Sequence, residues 1–96
     1  MNMPESQQTA APRQAPWVHV EDRTGSPRLV DQSGHQELQL NDTALAIWDL
    51  CDGATTVDEM AHAVVVAFGI DPVQALGDVQ RVIADFRRLS LLTDSV

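Results

Sequence analysis

The sequence predicts an α+β domain, a three-stranded antiparallel sheet followed by three helices. Two observations carry that prediction. Between residues 17 and 40, apolar and polar residues alternate in short runs broken by Gly, Pro and Ser. From residue 41 onward the apolar spacing changes to three and four. The stretch LNDTALAIWDLCDG, residues 40–53, is where one pattern gives way to the other.

The strands come first. Residues 17–21, WVHVE, alternate with period two. Trp17 lies opposite Val18 and Val20, so the pattern leaves the buried face open. Residues 23–27, RTGSP, read as a turn, and residues 28–31 as a short second strand carrying Leu29 and Val30. Gln32-Ser33-Gly34 reads as a hairpin turn. Residues 35–40, HQELQL, form the third strand, with Leu38 and Leu40 on one face and Glu37 and Gln39 on the other. A 1-2-3 meander leaves that third strand at an edge, with main-chain groups free to accept another chain.

The helices follow. Asn41 is an N-cap, Asp42 suits the positive end of the helix dipole, and Ala44, Ile47, Trp48 and Cys51 recur on one face. Asp52-Gly53 ends this first helix, predicted over 42–51. Thr56 and Glu59 form a capping box before Val57, Met60, Ala61, Val64, Val65 and Phe68, and Gly69 closes the second helix. Asp71 caps the third helix, with Pro72 at its first position, and the helix runs to about Leu89. Leu76, Val79, Ile83 and Phe86 form its main apolar stripe. Ala75, Val82 and Leu89 form a second stripe beside it, flanked by Asp78 and Asp85. Leu91-Leu92 is expected to fold back onto the core.

Composition bounds what surrounds this domain. Residues 1–16 carry three prolines and no apolar period, which predicts a disordered tail; the domain spans 17–92, and 93–96 form a short C-terminal tail. Fourteen acidic residues stand against six arginines and no lysine, a net charge of -8 over 96 residues. That balance argues against nucleic acid or an anionic membrane as partner. One cysteine allows no internal disulfide, which suits a reducing cytoplasm. The sequence shows neither a membrane-spanning run nor the basic and apolar regions of a signal peptide.

The catalytic candidates are thin. Glu59 and His62 have Glu-x-x-His spacing, but one such pair is only half a ligand set. His19 and His35 lie on strands without further ligands beside them. Cys51 falls on a buried helical face with no base evident, so it reads as a small hydrophobe. Phosphate loop, serine elbow and paired-carboxylate motifs are missing. The expectation is a chain that is not an enzyme and takes no cofactor or metal. Helices with a small sheet also match the layout of a winged-helix transcriptional regulator. There the third helix would read DNA, but its arginines, Arg81, Arg87 and Arg88, sit in its C-terminal half among Asp78 and Asp85.

Leu40-Asn41-x-Thr43-Ala44, Ile47-Trp48-x-Leu50, Asp52-Gly53 and Thr56-Val57-x-Glu59 together resemble the PqqD-like family. Asp78-Val79, Ile83, Phe86, Leu89 and Leu91-Leu92 continue the likeness. This is the family of the coenzyme PQQ synthesis protein D and its relatives, also called RiPP recognition elements. The resemblance implies a winged-helix-like domain and a non-catalytic chaperone. Such a protein binds the leader of a ribosomally made precursor peptide and presents it to a modifying enzyme, often a radical SAM protein. The family pattern has glycine where Ser90 stands, and the strand region here lacks a longer aromatic-rich hairpin. A lasso-peptide pathway, with a leader peptidase as partner, therefore fits as well as PQQ.

In the family the leader adds as a strand beside the third strand and packs on the third helix. Carried onto this sequence, that places the peptide against His35, Gln36, Glu37, Leu38 and Gln39 on one side. Ala75, Asp78, Val82, Asp85 and Leu89 face it from the other, with the two aspartates selecting a basic leader residue. The plainer alternative is that Val82 and Leu89 merely widen the core stripe. The chain is expected to be a monomer or a weak homodimer, since the same edge can pair with a second copy.

Overall fold

The region of period two folds as a meander and the region of helical period as three packed helices. The computed structural model describes residues 11–23, 25–32, 34 and 36–93. In chain order the elements are β1 (Arg13–Gln14), β2 (Val18–Arg23), β3 (Ser26–Asp31), β4 (Glu37–Gln39), α1 (Asp42–Asp49), α2 (Val57–Phe68), α3 (Pro72–Arg88) and β5 (Leu92–Thr93). β2, β3 and β4 make an antiparallel sheet in that order, and β1 pairs with β5 in a separate two-stranded sheet. The predicted α+β class is the observed one.

Each helix starts where its cap places it. Asn41 Oδ1 accepts from the Ala44 N–H at 2.8 Å. Thr56 Oγ1 accepts from the Glu59 N–H at 3.1 Å while Glu59 Oε1 accepts from the Thr56 N–H at 2.8 Å, a complete capping box. Asp71 Oδ2 takes the N–H groups of Val73 and Gln74 at 2.9 and 3.1 Å. α3 ends in a Schellman motif: Ser90 N–H bonds Arg87 O at 3.0 Å and Leu91 N–H bonds Phe86 O at 2.8 Å. Ser90 sits at φ 60°, the left-handed position that glycine occupies without strain.

The core lies between the sheet and the helices. Leu29, Leu40, Ile47, Trp48, Met60, Val64, Val79, Ile83, Phe86 and Leu91 are buried in it. The Trp48 and Phe86 rings meet edge to face, with centroids 5.5 Å apart and planes at 86°. The sequence left the buried face of the first strand open. In the sheet, the face carrying Leu29 and Leu38 turns to the core, and Val18 joins it there through its register with Asp31.

Four expectations are corrected. Residues 11–16, read from composition as tail, pack onto the domain. Pro12 and Ala15 are buried, Gln14 N–H bonds Cys51 O, Ala15 N–H bonds Leu91 O, and Gly53 N–H bonds Pro12 O. Thr93, also assigned to a tail, pairs with Arg13. The second strand starts at Ser26 and not at residue 28, with Pro27 near the strand start, where a missing N–H costs one end bond. On α3 the buried line runs through Ala75, Val79, Ile83 and Phe86, while Leu76 is half-buried beside α2. Both spacings fit a helix; side-chain size favoured Leu76, and packing chose the smaller residue. The expected tail residues 1–10 and 94–96 lie outside the described residues.

Candidate peptide-binding edge

β4 is an outer strand of the sheet, and its hydrogen-bond parity follows from its two ends. Asp31 N–H donates to Gln36 O at 3.3 Å, and Leu40 N–H donates to Pro27 O at 2.9 Å. In an antiparallel ladder such groups alternate, so Gln36, Leu38 and Leu40 turn their main chain toward β3. Glu37 and Gln39 therefore turn their N–H and C=O groups outward, away from the sheet.

Side chains alternate as well. Gln36 and Leu38 lie on the face that carries Leu29 toward the helices, and Leu38 packs partly against the core. Gln36 Nε2 donates to the Leu89 carbonyl at 3.2 Å, tying the start of β4 to the end of α3. On the other face Glu37 pairs with Arg28, Nη1 to Oε1, at 2.9 Å.

α3 contributes its flank away from α2. Val82 and Leu89 stand two turns apart, and both pack against the core while staying partly exposed. Asp78 and Asp85 lie along the same flank, but each is already held by its own helix. Arg81 Nη2 reaches Asp78 Oδ1 at 2.9 Å and Arg88 Nη2 reaches Asp85 Oδ1 at 3.2 Å. Exposed pairs of this kind are worth about 0–1 kcal/mol, so an incoming cation can displace the arginine.

Of the residues expected at the site, Gln36 reaches the Leu89 carbonyl, and Leu38, Val82 and Leu89 each pack partly buried against the core. Glu37 and Gln39 supply the outward main chain, and Asp78 and Asp85 border the flank. Ala75 does not take part: it is 0% exposed and belongs to the core. His35 lies outside the described residues. One neighbour was not foreseen. Trp17 Nε1 donates to the Ser90 carbonyl at 3.2 Å, beside Leu89, and the ring stays 40% exposed. Its lone position on the wrong side of the valine alternation was the available signal.

Among the described residues no group of three or more His, Cys, Asp or Glu side chains could hold a metal. The depression of about 390 Å³ between α2 and α3 gathers Asp58 and His62 with Ala61, Val65, Pro72 and Leu76, which is mostly apolar. Glu59 is engaged as a cap. Cys51 is buried, its Sγ donating to Ile47 O at 3.3 Å. Asp52 has its carboxyl held below the ordinary aspartate range, by the Ala54 N–H first, then the Thr55 N–H, with the Thr55 hydroxyl adding to them. This is the turn between α1 and α2, remote in sequence from the strand edge. Among the described residues no helix is long and apolar enough to cross a membrane.

Comparison with known proteins gives one family and one fold. A sequence profile of the family "Coenzyme PQQ synthesis protein D (PqqD)" matches residues 28–92. No curated protein sequence matches. Among solved structures, lasso peptide synthetase B1 complexed with the leader peptide aligns with TM-score 0.74 and 21% identity, over 88% of this chain and 99% of that one. TbiB1 in complex with the TbiA(β) leader peptide aligns with TM-score 0.72 and 16% identity, over 88% and 98%. The PqqD truncation of Methylobacterium extorquens PqqCD, a stand-alone RiPP recognition element, aligns with TM-score 0.70 and 21% identity, over 91% and 96%.

Proposed function

The chain belongs to the PqqD family, and on that premise we propose that it binds the leader of a ribosomally synthesised precursor peptide by strand addition at β4. The observation that carries this reading is the outward main chain of Glu37 and Gln39, on a strand whose Leu38, like Val82 and Leu89 of α3, stays half-buried against the core. An extended peptide would bond the edge through alternate residues. The side chains it turns toward α3 would meet Leu38, Val82 and Leu89; those it turns the other way would meet Arg28 and Glu37. A basic residue near Asp78 or Asp85 would replace the local arginine. Two of the structural neighbours are complexes with leader peptides, which supports leader binding by this fold.

In this reading the protein performs no chemistry of its own. It holds the leader so that a partner enzyme, a radical SAM protein or a lasso-peptide leader peptidase, acts on the attached core peptide. It would work in the cytoplasm, where the precursor is made. The test is an NMR titration with candidate leader peptides. Shifts at the amides of residues 36–40 and along Asp78 to Leu89 are expected. Shifts confined to α2 would reject strand addition at β4.

A further inference from the structure

The sheet has a second edge. We propose that β2 is the pairing edge for a second copy of this chain, joined antiparallel about a two-fold axis at Val20. The parity fixed at β4 runs through β3: Pro27, Leu29 and Asp31 turn their main chain to β4, so Arg28 and Val30 turn theirs to β2. His19 and Glu21, opposite Val30 and Arg28, therefore bond inward. Gln32 N–H bonding Trp17 O at 2.7 Å continues the same parity. Val18, Val20 and Asp22 are left with main-chain groups pointing out of the sheet. One of these is taken, since Val18 N–H bonds Ala15 O at 3.1 Å.

Few registers of self-pairing fit that edge. Centring on Glu21 or Asp22 sets like charges opposite each other, which destabilises a sheet pair. Centring on Val18 or His19 requires the Val18 N–H that Ala15 already holds. Centring on Val20 sets no like charges opposite each other, keeps the central pair of bonds, and forgoes the occupied Val18 N–H only at its two ends, opposite the partner subunit's Asp22. Val20 exchanges both main-chain bonds with the partner subunit's Val20, and the Val18 C=O accepts from the partner subunit's Asp22.

The side chains agree with that register. His19 falls opposite the partner subunit's Glu21, and Glu21 opposite the partner subunit's His19. Within one copy His19 Nε2 and Glu21 Oε2 already stand 3.0 Å apart on the exposed face, so the dimer would close an alternating ring of four such groups. Arg28, opposite Glu21 and paired with Glu37, borders that ring. On the other face Val20, 40% exposed, would be covered by its own symmetry mate. The arrangement is isologous, as a closed dimer requires. It leaves both β4 edges free at the outer ends of a continuous sheet in the order β4-β3-β2-β2′-β3′-β4′. It therefore stands independently of the leader-binding reading.

The experiment is sedimentation equilibrium of the full chain from about 10 μM to 1 mM, the range of a weak strand-edge contact, in about 0.15 M salt to screen the net charge of -8 on each copy. Concentration-dependent dimer is expected. Val20→Lys, which sets two ammonium groups at the axis, should weaken it at least about tenfold. His19→Glu, on an exposed side chain, should weaken it and keep the circular dichroism spectrum. The double variant His19→Glu/Glu21→His should restore it, because each imidazole again faces a carboxylate, in reversed order. Gln39→Lys on β4 should leave it unchanged. A chain that stays monomeric at the highest concentration overturns the proposal. So does a dimer lost with Gln39→Lys but kept with Val20→Lys, which would move the pairing to β4. Failure of the double variant to recover association overturns the register.

Discussion

Gln36 donates from Nε2 to the Leu89 carbonyl at 3.2 Å, and so fixes the residue just before β4 against the C-cap of α3. The bond spans 53 positions of sequence and ties the chain entering β4 to the end of α3. A leader seated there would find the two walls already held.

Gln36→Ala tests that hold. The loss of one part-buried hydrogen bond should lower stability by about 0.5–1.5 kcal/mol. Leader affinity should fall as well, because the walls become free to separate and binding must then order them. Urea unfolding gives the first number and calorimetric titration the second. A variant with lower stability and unchanged affinity would show that the bond serves the fold alone.

Val82→Asp tests the helix wall. Val82 packs partly against the core and is partly open, so a carboxylate there can still reach water. A central contact of an interface costs about 1–3 kcal/mol when disrupted, near the lower range of hot-spot values. Val82→Ala is the companion that removes packing without adding charge. A folded Val82→Asp protein that binds leader as the parent does would remove Val82 from the site.

Ser90 is the residue with positive φ outside glycine among those described, and its N–H completes the Schellman motif. Ser90→Gly should relieve the left-handed backbone strain, with some loss through the freer unfolded chain. The net gain expected is about 0.5–1 kcal/mol. For a domain of this size that raises the melting temperature by roughly 2–8 °C. Ser90→Val should shift it the other way, since a β-branched residue fits that conformation worst.

The helical half was legible because its signals are local. Asn41, the Thr56–Glu59 box, Asp71-Pro72 and Gly69 each mark an end by chemistry within four residues, and the helices begin and stop there. The edge position of β4 was legible from the meander. What escaped was long-range. Arg13 and Gln14 carry no period and sit among prolines, yet they are ordered by carbonyls of the α1–α2 turn and by β5, which no local pattern announces. Ala75 escaped for a related reason: the helix period admits it and Leu76 equally, and only the approach of α2 decides. The outward parity of Glu37 and Gln39 needed the two terminal bonds of the β4 ladder, which are facts of pairing and not of composition.

Asp52 gives a pH prediction. Its folded pKa lies below the ordinary value of 3.8, through the N–H groups of Ala54 and Thr55. A depressed carboxylate pKa contributes stability that is present above the unfolded value and lost as pH falls through the folded one. The difference in unfolding free energy between the parent and Asp52→Asn should therefore be constant near neutrality. It should shrink as pH drops below about 4. A difference that stays flat down to the acid transition would mean that the turn does not prefer the charged form.

Gly53 and Arg13 form the last pair to test. Gly53 has φ +81°, and a Cβ built on it would lie 2.6 Å from Arg13 Nε and 2.7 Å from Arg13 Nη2. Gly53→Ala thus carries two costs, one of backbone conformation and one of contact. The backbone part is about 1 kcal/mol or somewhat more, because φ > 0 is unfavourable for any residue with a Cβ. The contact part depends on whether the guanidinium, the far end of a flexible side chain, can move aside. Arg13→Ala in the Gly53→Ala background separates them: it should recover the contact part and leave the backbone part. The cycle is read by thermal or urea unfolding of the four proteins. Recovery of most of the loss would place Arg13 firmly against the α1–α2 turn. No recovery would mean that the arginine swings away at little cost, and that β1 is held by its main chain through the Pro12, Gln14 and Ala15 bonds.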